Sequence, residues 1–215
     1  MPYEPLPSFL RRRAPALAAA LATVALLPAG VALATPGSSR LSAQGWRTFS
    51  AFRALDAPTA GPGAHAKLQR VRRSCRRLPG HGTQSAGIRK ICLGEVGFVD
   101  RLVGVMQCSD AGGGGDEAQG LCFLAALPAI DRDLDLAARG SGAVVATLAP
   151  GRCRRGFAHE QLTMSSAAAR GRDLLGAVGA QDAAGAQRAS DRLTTALERA
   201  AEPSFGSGAG CRPRA

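Results

Sequence analysis

The sequence predicts an all-α protein, an antiparallel bundle of four to six helices stapled by disulfides. Three observations carry that expectation. Apolar residues recur every three or four positions through most of the chain. The segments between these runs are short and rich in Gly and Pro, which makes consecutive helices antiparallel neighbours. Six cysteines, an even number, lie beyond an N-terminal segment that reads as an export signal.

That segment comes first. Arg11, Arg12 and Arg13 give a positive start, and Ala14 to Leu27 is almost wholly Ala, Leu and Val. Pro28 and Gly30 break the apolar run, and Ala32-Leu33-Ala34 supplies the small residues of a cleavage site. Residues 1–34 are expected to be a cleavable signal peptide, with Thr35 as the new terminus. The alternative is an uncleaved anchor, since about 20 apolar residues suffice to span a bilayer. The rest divides into a linker and aromatic helix (35–63), a helical bundle (64–202) and a flexible tail (203–215).

A helix is expected over about 39–56, where Leu41, Phe49, Phe52 and Leu55 share a face with Trp46 at its border. After the Pro58–Gly63 break, a second fits 64–78, with Leu68, Val71, Cys75 and Leu78 as a narrow stripe. The third, 83–108, would be roughly 39 Å long. Its wide apolar face runs from Ile88 through Val96, Phe98 and Leu102 to Met106. Gly87, Gly94, Gly97 and Gly104 sit to one side of it; they lower helix propensity but admit a close neighbour.

Beyond the glycines 112–115, Asp116 and Gln119 suggest a capping box. The helix that follows carries Phe123, Leu124, Leu127, Ile130 and Leu134; Pro128 should kink or restart it and Gly140 should end it. Residues 143–149 fit a short helix or a strand equally. Two more helices are expected over 156–178 and 182–202, the last capped by Asp182.

Cys75, Cys92, Cys108, Cys122, Cys153 and Cys211 allow fifteen pairings. Pairing between neighbours along the chain is one natural solution. Cys75 and Cys92 flank a Pro-Gly turn, Cys108 and Cys122 flank the Gly-rich loop, and Cys153 with Cys211 would tie the tail to a helix start. No C-x-x-C is present, which argues against a zinc ribbon or a thioredoxin-like pair.

The chain carries a formal charge of +11, with 25 Arg, 2 Lys and no Asn. This bias fits GC-rich codons of a bacterial source and also fits an anionic partner. Lys67, Arg70, Arg72, Arg73, Arg76 and Arg77 occupy the helix face opposite Leu68 and Cys75. The plain reading is a solvated face. The functional one is an anion-binding face for an acidic envelope polymer, an acidic lipid head group or an acidic protein. Nucleic acid is disfavoured, because Trp46 is the lone Trp or Tyr beyond the signal and stacking residues do not interleave with the basic ones.

Glu95 falls in the middle of the third helix's apolar face, where a carboxylate must be paired, hydrogen-bonded or protonated. A structural ion pair with Arg72 or Arg172 is the plain reading; a ligand contact inside the bundle is the functional one. Asp131, Asp133 and Asp135 lack the Gly and Glu of an EF-hand loop and are expected on solvated outer faces. No nucleophile–base set, zincin motif or phosphate loop is present, and no cofactor is expected. The expected function is therefore non-enzymatic: an exported binding protein of the envelope or extracellular space. The alternative is a carrier of a small apolar ligand, with a cavity in the bundle and Glu95 as its polar anchor.

Overall fold

The computed structural model describes residues 37–55, 63–111, 115–201 and 208–213. The expected signal segment, 1–34, lies outside the described residues. Six helices follow in order: α1 (Ala43–Arg53), α2 (Ala64–Arg77), α3 (Thr83–Ala111), α4 (Asp116–Val145), α5 (Arg152–Gly179) and α6 (Ala183–Ala201). A single 3₁₀ turn, Ala209–Cys211, closes the described chain. The fold is the expected disulfide-linked antiparallel helical bundle.

The spine is α3–α4–α5–α6, each helix packed against the next; α2 and α1 lean on α3. Glycines set the closest crossing. A Cβ built on Gly87 would lie 2.7 Å from the Gly140 carbonyl oxygen, and one on Gly140 would lie 2.5 Å from that of Gly87. Gly94 meets the Ala137 backbone in the same way, and Gly97 meets the Asp133 carboxyl. Rising positions on α3 thus face falling positions on α4, so the two run antiparallel and backbone to backbone.

This crossing explains two departures from expectation. Gly140 does not end α4; it is the point at which α3 comes nearest, and the helix continues to Val145. Residues 143–145 are therefore its last turn and not a strand. Pro128 also stays inside α4. It lies on the exposed side of the helix, away from the packed faces. The expected capping box is absent as well: Gly115, not Asp116, is the N-cap, and it brings no side chain. Asp182 does cap α6, accepting from the Gly185 N–H at 2.8 Å.

The core has three parts. Leu127, Ile130, Leu134, Met164 and Leu193 fill the α4–α5–α6 layer. Leu41, Phe49, Ile88, Val144 and Phe157 join α1 to the near ends of α3, α4 and α5, with the Phe49 and Phe157 rings edge to face at 5.7 Å. Leu68, Cys75, Cys92 and Val96 seat α2 on α3. Gln84, at the start of α3, ties the start of α1 to the end of α4: its Oε1 accepts from the Ser42 N–H and its Nε2 donates to Thr147 Oγ1.

Three disulfides join Cys75 to Cys92, Cys108 to Cys122 and Cys153 to Cys211. This is the neighbour pairing, and all six cysteines are used. Three such bonds suit an oxidising, extracytoplasmic setting. Residues 208–213 are seated on the bundle: Cys211 is buried, and its carbonyl accepts from the Leu41 N–H at 3.1 Å. No helix among the described residues is long and apolar enough to cross a membrane.

Candidate functional site

An apolar groove of about 1010 Å³ opens on the side of the bundle. Its origin is a mismatch of lengths and faces. α6 packs closely on α5 and leaves space between itself and the apolar faces of α3 and α4. Phe98, Leu102 and Met106 of α3 form one wall. Phe123 and Leu124 of α4 form the floor, and Leu174 and Val178 of α5 adjoin it. Ala183, Ala186 and Leu197 of α6 form the far wall, where alanines leave space that longer side chains would fill. The groove opens to solvent: Met106 is 40% exposed and Val178 42%.

Its polar groups are few. Gln119, Gln181, Ser190 and Thr194 offer neutral donors and acceptors, and Asp182 and Glu198 are the charged members of the lining. The Cys108–Cys122 bridge clasps α3 to α4 beside Met106 and Phe123, at the end of the groove next to the Gly-rich loop. Gln181 takes a left-handed φ of 56° in the α5–α6 turn and brings its side chain to the groove's edge.

Glu95 is not part of this lining. It lies one layer away, partly buried, beside Glu160 of α5 and the Arg53 charge at the end of α1. Burial raises the Glu95 pKa well above the ordinary value; the neighbouring Glu160 charge and a hydrogen bond to Glu160 raise it further, and Arg53 opposes them. The two carboxyls therefore face each other, an arrangement that favours the protonated form of Glu95. Glu160 is itself buried, and its Oε1 has no hydrogen-bond partner among the described residues. The expected partners are elsewhere. Arg172 Nη1 donates to Asp135 Oδ2 at 3.0 Å, and Arg72 sits near Asp133. The helical wheel placed Glu95 on the inward face of α3 but carried no information about which helix would lie opposite.

Two of the three aspartates of α4 also depart from expectation. Asp131 and Asp133 are buried, because α4 has α3 on one side and α5 on the other and so has little outer face. Asp131 packs over Gly171 of α5, and burial lifts its pKa to about 6 against the pull of Arg172. Asp133 packs over Gly97, 3.6 Å from Arg101 Nε; burial raises its pKa, while Arg101 and Arg72 lower it. A third buried acid, Asp100, lies 2.7 Å from His65 Nδ1 and accepts from Gln69 Nε2 at 2.8 Å, which fixes α2 on α3. These clusters join neighbouring helices, and none of their acids lines the groove.

The basic face of α2 stands as the sequence places it. Lys67, Arg70, Arg73, Arg76 and Arg77 are all exposed, and none has an acidic partner within 4 Å among the described residues. Arg72 is the exception on that helix: it turns inward, half-buried, toward Asp133.

No family of known proteins, no characterised protein and no solved structure matches this chain. The sequence raises a cavity in the bundle as one alternative but puts Glu95 in it; the place and lining of the groove are what the sequence does not reveal. The signal for it was the width of the apolar face on α3, which continues through Phe98, Leu102 and Met106 past the point where two neighbouring helices suffice to bury it.

Proposed function

We propose that this protein is an exported, non-enzymatic carrier of a small apolar molecule. The observation that carries the reading is the groove: about 1010 Å³, walled by apolar side chains from four helices, with a few polar groups at its edges. That is the size and make-up of sites that hold lipid- or drug-sized ligands. The absence of catalysis is inferred from placement. Asp182 and Glu198 lie sixteen positions apart along α6, about 24 Å, so the charged groups do not converge on one reacting centre. The disulfides support the role by fixing a fold that must hold an open apolar surface outside the cell.

The test is binding of a neutral, environment-sensitive fluorescent alkyl probe to the exported chain. Saturable binding near one probe per chain is expected, with a negative heat-capacity change from apolar burial. Ala186→Trp, which fills the groove from α6, should abolish it without lowering the melting temperature by more than a few degrees. Probe binding that is absent, or unaffected by Ala186→Trp, overturns the reading.

A second reading has its own support. The unpaired cations of α2 favour an acidic envelope polymer or acidic protein as a docking partner. Binding to such a polymer should fall steeply with added salt and vanish when Arg73, Arg76 and Arg77 are each changed to Glu.

A further inference from the structure

We infer that the groove selects a long-chain amphiphile with a cationic head group, an amine or quaternary ammonium, over one with an anionic head. The inference rests on the carrier reading above and specifies its ligand class. It starts from a contrast in charge. The chain carries +11 overall, yet among the described residues no Lys or Arg lines the groove. Its two charged groups are both carboxylates, Asp182 and Glu198. In a chain so rich in Arg, the charged groups that line the groove are opposite in sign to the protein as a whole.

The other local source of positive potential is also neutralised. The N-terminus of α6 begins at the groove, and a helix N-terminus ordinarily attracts anions through its free N–H groups. Here Asp182 occupies that position. Its Oδ1 accepts the Gly185 N–H at 2.8 Å, and its Oδ2 lies over Gly185 where a Cβ would stand. An incoming carboxylate or phosphate would have to displace this cap and then face its charge. A cationic head meets a carboxylate at either end of the groove, about 24 Å apart along α6. The apolar tail lies between, against Phe98, Leu102, Phe123 and Leu197. The spacing favours an extended single chain over a compact ring system.

Competitive displacement of the neutral probe tests this, using alkyl trimethylammonium and alkyl sulfate of equal chain length below their micelle thresholds. The ammonium is expected to displace the probe at several-fold lower concentration. That preference should shrink with added salt and disappear in the Asp182→Asn, Glu198→Gln double variant, in which Asn keeps a capping oxygen. A sulfate that competes equally well or better overturns the head-group inference while leaving the carrier reading intact. Failure of the neutral probe itself removes the carrier reading. If the chain then sediments as a dimer that Leu102→Arg dissociates, the groove is an interface between copies and both are overturned.

Discussion

Asp131 packs its carboxyl over Gly171, and a Cβ at that glycine would lie 2.0 Å from Oδ1. Burial raises its pKa from 3.8 to about 6. The folded state therefore holds the proton more tightly than the unfolded one. Stability from this group is greatest below pH 3.8 and falls as pH rises toward 6, where the buried side chain ionises. The full difference is on the order of 3 kcal/mol. Asp131→Asn, which keeps the shape and removes the charge, should stabilise the protein at pH 7 by up to about that amount and leave stability at pH 3.5 nearly unchanged. Chemical denaturation at the two pH values checks this; equal effects at both would show that packing, not ionisation, sets the energetics here. Glu95 follows the same sign. Its raised pKa, from burial and from Glu160, means that ionising it opposes folding. Glu95→Gln, which can still donate to Glu160, should therefore hold stability more nearly constant as pH rises. Because Glu95 lies outside the groove lining, the substitution should not change probe binding.

At the scale of elements, the decisive contact is where α3 and α4 touch through glycine. Gly140→Ala places a methyl 2.5 Å from the Gly87 carbonyl oxygen, against backbone that cannot rotate away. It should cost about 1–3 kcal/mol, although Ala alone favours helix over Gly by about 1 kcal/mol. Gly104→Ala meets nothing within 4 Å and should gain up to about that 1 kcal/mol. Opposite signs for two Gly→Ala changes in neighbouring helices, measured by thermal unfolding, would establish that a glycine at the α3–α4 crossing and one away from it have different purposes. The pair also shows what the sequence could reveal. The period of apolar residues placed all six helices, and the side occupied by Gly87, Gly94 and Gly97 announced a close neighbour. Gly140 looked like a stop signal because its role depends on Gly87, more than fifty residues away. Asp131 and Asp133 looked solvated for the same reason: a wheel shows which way a side chain points, not what stands there. The position of the groove was hidden by the reverse effect, since an apolar face reads alike whether a helix covers it or not.

Across the whole molecule, the disulfides divide the bundle into ends with different duties. Cys153–Cys211 spans 58 residues and Cys108–Cys122 spans 14. The entropy of loop closure assigns them about 4 and about 3 kcal/mol. The long bridge gathers one end of the bundle. There Cys211 accepts from the Leu41 N–H, Arg40 donates to the Arg212 carbonyl at 3.0 Å, and Phe157 packs against Phe49. The groove lies at the other end of α5: Cys153 and Leu174 are about 32 Å apart along that helix. Replacing Cys153 and Cys211 by Ala should thus loosen α1 and its single Trp, Trp46, lowering stability and weakening the near-ultraviolet circular dichroism of that ring. Probe affinity should be unchanged wherever the chain remains folded. Replacing Cys108 and Cys122 by Ser should do the converse, costing less stability and weakening probe binding, because that bridge holds the α3 wall to the α4 floor. If both pairs affect binding alike, the bundle behaves as one cooperative body and the groove has no separate mechanical support.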